Sequence, residues 1–92
     1  MRRRAKLDAN HGQIVRALEL AGCSVQSLAA LGGGVPDLLV LCRGKLSLVE
    51  VKDGDKPPSA RRLTPLEAEF ASRWPVLVVE SVNEAIAKVV GR

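Results

Sequence analysis

A chain of 92 residues has room for one domain, and a domain this small buries only about 60 to 65% of its unfolded surface. Apolar residues make up 47% and charged residues 26%, and no apolar run approaches the roughly 18 residues of a membrane span, so the sequence reads as a globular cytoplasmic protein with no membrane partner. The net charge of +4 is concentrated in "RRRAK" at the start and "KPPSARR" in the middle, which fits a polyanionic partner. Aromatic residues are only Phe70 and Trp74, too few for a surface that stacks unpaired bases, so duplex or branched DNA held by its phosphates is the better match. The basic start has no apolar stretch behind it and is not a secretory signal. Cys23 and Cys42 lack metal-type spacing and are expected to fill the core, and one histidine is too few for a structural zinc site.

In chain order, Ile14, Val15, Leu18 and Ala21 recur at helical spacing. They predict a first helix from about Asn10 to Ala21, with Asp8 or Asn10 as N-cap and Gly22 as the stop. "CSVQSLAAL" predicts a short strand that runs into the glycine loop Gly32–Gly34. Two strong strands follow, Asp37 to Cys42 and Lys45 to Lys52, joined by a tight turn at Arg43 and Gly44. "DGDKPPSARR" has the composition of an exposed loop. Thr64, Pro65 and Glu67 then form a capping-box signature that starts a helix over Pro65 to Arg73. Val76 to Val79 is a buried strand, and Ser81 with Glu84 repeats the capping pattern before a last helix ending near Gly91. The order is α-β-β-β-α-β-α, in one domain over residues 1–92 with a basic tail at 1–8.

Within this pattern Asp37, Glu50 and Lys52 are charged residues in segments that otherwise read as buried sheet, where charge is costly without a partner. With Arg43 and Gly44 as the two loop residues, paired positions across the hairpin sum to 87. Asp37 therefore faces Glu50 directly, with Cα atoms about 4.5 Å apart, and like charges so placed are destabilising. Glu50 and Lys52 share a face of their strand. A divalent cation between the carboxylates resolves the conflict. Hard oxygen ligands from Asp37 and Glu50, with water and the Val51 backbone carbonyl, suit Mg²⁺ or Mn²⁺ better than zinc. The competing interpretation is a surface cluster in which Lys52 merely neutralises Glu50.

"PD", a strand's length, then "EVK" resembles the PD-(D/E)XK nuclease superfamily. "GGGVPDLLVL" followed by "LVEVKDG" and "LTPLEAEF" resembles more narrowly its virus-type replication and repair branch, VRR-NUC, from the first helix to Ser81. The resemblance implies an α/β restriction-endonuclease-like core, a mixed sheet flanked by helices, and a Mg²⁺-dependent DNA endonuclease in which Mn²⁺ substitutes. Asp37, Glu50 and Lys52 match its catalytic motif. Where such nucleases carry a metal-binding glutamate on the first helix, this sequence offers Gln13, with Glu19 as another source of the ligand. Small members of the branch look like Holliday-junction resolvases, and one site per chain with two strands to cut suggests a symmetric homodimer. The alternative is a nuclease fold with impaired chemistry that serves as the DNA-binding subunit of a larger complex. Arg2, Arg3, Arg4, Lys6, Lys56, Arg61 and Arg62 are the candidate DNA contacts. His11 reads as a solvated helix-start residue, with contact to a phosphate or leaving group as its functional alternative. The glycine loop is expected to let backbone or DNA come close to Asp37.

Overall fold

A computed structural model describes residues 7–91. Helix α1 (His11–Leu20) turns His11, Ile14 and Leu18 inward at the expected helical spacing, and it stops at Gly22, whose φ of 95° suits glycine. Asn10 does not cap the helix with its side chain. Its Nδ2 donates instead to the Lys52 and Glu80 carbonyls, both at 3.1 Å, and so ties the start of α1 to the ends of two strands.

The sheet has the order β1 (Ser24–Ser27), β2 (Leu38–Cys42), β3 (Lys45–Val51) and β4 (Val76–Val79). The first three strands are antiparallel, and β4 pairs parallel to β3. A short 3-10 turn (Ala29–Leu31), not more strand, leads into the glycine loop. The β2–β3 hairpin turns on Arg43 and Gly44, both at positive φ, the geometry that matches the strand twist. Its register is Leu38↔Val49 through Cys42↔Lys45, so paired numbers sum to 87 as expected.

Leu38, Val40 and Cys42 of β2, with Val49 and Val51 of β3 and Val79 of β4, point to one side and pack with Ile14, Leu18, Ala85 and Val89. Each leucine, isoleucine or valine among them contributes about 1.5 to 3 kcal/mol when removed from water, which makes this the side that holds the fold together. Cys23 and Cys42 are free and buried in the same core, and burial with a hydrogen bond to Cys42 pushes the Cys23 thiol up to about 11, an inert state. On the opposite face of the sheet, Leu41 and Leu46 remain exposed.

The expected exposed loop after β3 contains a one-turn helix α2 (Pro58–Arg61). Helix α3 (Pro65–Arg73) has the complete capping box of Thr64 and Glu67 and buries none of its side chains. Helix α4 (Val82–Ala85), capped by Ser81, widens into a π-helical turn at Ile86–Val90. Among the described residues no helix is long and apolar enough to cross a membrane.

Candidate active site

The site forms where the ends of β2 and β3 meet the start of α3. Asp37 stands one residue before β2 and is held from two sides. Its carbonyl accepts the Leu28 N–H at 2.7 Å, and its Oδ2 accepts the Val51 N–H at 2.8 Å. The hairpin register carries Asp37 opposite Glu50, just beyond the last ladder pair, so each carboxyl group lies in the field of the other. Glu50 is 4% exposed although it lies on the same strand face as Leu46, which is 67% exposed. The reason is local: α3 begins over this end of the strand.

Gly34 makes that approach possible. A Cβ there would collide with the Leu66 backbone carbonyl, and its φ of 85° is one that glycine adopts without strain. The glycine loop thus admits backbone, as expected, and the backbone it admits is the first turn of α3. That turn brings Glu67 to Lys52, with Nζ to Oε1 at 2.8 Å, while Glu50 Oε2 lies at 3.6 Å from the same Nζ. Asp8, Gly32, Gly33, Gly34, Asp37, Glu50, Lys52 and Glu67 line a cleft of about 160 Å³.

The electrostatics follow from burial. Desolvation, then the charges of Asp37 and Glu67, push the Glu50 carboxyl up to about 8 despite the pull of Lys52. Desolvation also holds Asp37 above its ordinary value, against the Val51 N–H and the nearby His11. Burial disfavours the Lys52 ammonium, but the contacts with Glu67 and Glu50 outweigh it and raise Lys52 overall. Glu67 is lowered: its own desolvation is overcome by Lys52 and by the Thr64 N–H.

The catalytic residues expected from sequence, Asp37, Glu50 and Lys52, are therefore brought together. Gln13 is not. With His11, Ile14 and Leu18 facing inward, helical spacing turns Gln13 out into a neighbouring cleft lined by Asn10, Asp53, Asp55 and Glu80; Glu19 is exposed as well. The α1 residue beside Asp37 is His11. It is 9% exposed rather than solvated, and its Nδ1 is buried without a partner. The expected phosphate contacts divide. Lys56 pairs with Asp8 of the cleft wall at 3.1 Å, Arg62 is exposed, and Arg61 is committed to Glu80 at 3.0 Å. Arg2, Arg3, Arg4 and Lys6 lie outside the described residues. Glu67 was visible in the sequence only as half of a capping box, a motif that explains it fully without any site.

Asp37 and Glu50 face each other across the hairpin, burial and the Asp37 charge keep the Glu50 carboxyl protonated up to about pH 8, and an unpartnered imidazole nitrogen is buried nearby. Such a pair fits a hard divalent cation that neutralises it. Among the described residues no group of three or more His, Cys, Asp or Glu side chains could hold a metal ion. Mg²⁺ keeps several waters and is commonly bound through one or two carboxylates, a donor set that two carboxylates match.

A mixed four-stranded sheet flanked by helices makes this a small α/β domain, a fold consistent with the restriction-endonuclease-like kind. No family model matches the chain, and no curated protein matches it. A solved structure described as a VRR_NUC domain is similar to it at 29% identity and a TM-score of 0.64, over 92% of this chain and 98% of that one. The likeness supports a VRR-NUC nuclease domain.

Proposed function

We propose that this chain is a divalent-metal-dependent DNA endonuclease that hydrolyses phosphodiester bonds in a structure-directed way, resolving branched DNA or nicking duplex DNA. The observation that carries the reading is half-buried Asp37 opposed to buried Glu50 beside Lys52 in one cleft. Asp37 and Glu50 would hold Mg²⁺, or Mn²⁺ in its place, with the Val51 carbonyl and water completing the shell. The ion supplies a water of lowered pKa and neutralises phosphate charge. Lys52 presents its ammonium to the charge that develops on the phosphoryl oxygens. Lys56, Arg62 and the basic residues Arg2, Arg3, Arg4 and Lys6 hold the DNA by its backbone. Residues 1–92 act as one unit, with 1–8 as its basic tail. Two strands to cut and one cleft per chain favour a homodimer, and the exposed leucines of the outer sheet face, with Trp74 at 50% exposure, supply apolar surface for it.

The second reading is a DNA-binding subunit with impaired chemistry. It is favoured by Gln13 lying outside the cleft and by the lack of a three-ligand group among the described residues. One gel separates the two. Supercoiled plasmid and a synthetic four-way junction are incubated with the protein in Mg²⁺, Mn²⁺ or EDTA. Metal-dependent nicking or junction cleavage supports the enzyme, whereas retarded but intact DNA in all three supports the subunit.

Binding itself is expected to be electrostatic and independent of sequence. With several phosphates neutralised, affinity should fall by about two to four orders of magnitude between about 50 and 200 mM salt. Fluorescence anisotropy with a labelled duplex measures this, and an affinity that hardly moves would remove the basic clusters from the interface.

A further inference from the structure

We propose that Glu67 is the positioning residue for Lys52: one oxygen, Oε1, ties the lysine to the start of helix α3 and holds it off the metal-binding carboxylate Glu50. The inference rests on the nuclease reading and assigns a role within its site. Glu67 Oε1 accepts from Lys52 Nζ and from the Thr64 N–H, each at 2.8 Å, so it is fixed by a backbone group while it holds the ammonium. Helix α3 buries none of its own side chains, and Gly34 lets its first turn lie against the glycine loop. The placement of Glu67 is thereby set by backbone. Lys52 is 7% exposed, and its second carboxylate neighbour is Glu50 at 3.6 Å. With Glu67 gone, an ammonium with little access to water has the Glu50 carboxyl as its nearest remaining partner, a group that becomes anionic when a cation binds. The ammonium would then compete with the cation for that carboxylate.

The capping role must be separated from the positioning role, and Thr64 allows it. Thr64→Ala removes the hydroxyl that accepts the Glu67 N–H at 3.2 Å but keeps the backbone N–H and the Glu67 carboxylate. Glu67→Ala removes both functions. Glu67→Gln keeps a carbonyl oxygen for both donors and still completes a capping box. Melting is recorded for the four proteins, and Mg²⁺ affinity by calorimetry and kcat and KM on supercoiled plasmid are measured well below every melting temperature. Thr64→Ala and Glu67→Ala should both melt lower. Only Glu67→Ala should lose kcat, by about 10- to 100-fold with KM nearly unchanged, and bind Mg²⁺ several-fold more weakly, and Glu67→Gln should recover kcat to within about fivefold. In metal-free protein, the ¹H–¹⁵N signal of the Lys52 ammonium should be visible in wild type and Glu67→Gln and lost in Glu67→Ala. A kcat for Glu67→Ala equal to that of Thr64→Ala, or a glutamine variant as slow as the alanine one, overturns the proposal. An ammonium signal unaffected by Glu67→Ala does so too. A wild type that cuts nothing in Mg²⁺ while its ammonium signal depends on Glu67 would retain the contact and overturn the nuclease reading with the catalytic role.

Discussion

Asp37→Asn is expected to abolish metal-dependent cleavage, by about three orders of magnitude or more, while leaving DNA binding in EDTA unchanged or tighter. Asparagine is close in shape and keeps an oxygen that can accept the Val51 N–H, now at 2.8 Å from Asp37 Oδ2, so the local backbone has no reason to move. What it loses is the charge that a hard cation needs and that repels a phosphate. Rates on supercoiled plasmid and affinities in EDTA measure the two effects separately. Cleavage that survives within about tenfold would mean that Asp37 holds no catalytic ion.

The second large effect is on stability against pH, and its sign is opposite to that of an ordinary salt-bridged carboxylate. The Glu50 carboxyl ionises at about 8 in the metal-free fold, against 4.5 for a free glutamate. Below 4.5 it is protonated in both the folded and unfolded chains and costs nothing. As pH rises from 4.5 to 8 the unfolded chain releases this proton and the folded chain retains it, so stability falls across that window and levels off above it. Asp37, also raised, acts in the same direction. Glu67, lowered by Lys52, works the other way, but its contribution is lost only below the ordinary carboxylate range. After discounting for solvent screening, the Asp37–Glu50 pair accounts for about 3 kcal/mol. In a domain of this size that corresponds to a melting temperature lower by about 15 °C at pH 9 than at pH 5, measured in EDTA. Mg²⁺ binding requires the charged form, so calorimetry should show proton release below pH 8 and an affinity that rises towards that pH. A flat stability profile with no proton release would mean that Glu50 is not in this environment.

Much of the arrangement was legible in the sequence because it is set by local rules. A two-residue turn with glycine fixes the hairpin register, and the register fixes that Asp37 meets Glu50. The capping box at Thr64 and Glu67 gave the start of α3 to the residue. What was not legible depends on how elements meet. The face of α1 that is buried could be read from Ile14 and Leu18, yet whether His11 or Gln13 would reach the site depends on where the helix starts against the strand ends, and Asn10 decides that by bonding to Lys52 and Glu80 rather than capping. Arg61 looked like a phosphate contact because it sits in a basic run, and its partner Glu80 is 19 residues away. Glu67 has a complete local explanation, so nothing in the sequence prompts a search for its second bond. The apolar outer sheet face has the same alternation as the core face, and only the fold shows which side the helices α1 and α4 cover.

The central claim is that Asp37 and Glu50 are opposed to hold a cation and not to support the fold. Thermal melting of wild type and Asp37→Asn in EDTA at about pH 8 tests it most directly. If the pair exists for the ion, removing one charge relieves repulsion, and Asp37→Asn melts at or above the wild-type temperature, with Mg²⁺ then raising only the wild type. A clearly lower melting temperature for Asp37→Asn in EDTA would contradict the account, because these carboxylates would then be holding the protein together through Lys52 and the Val51 backbone.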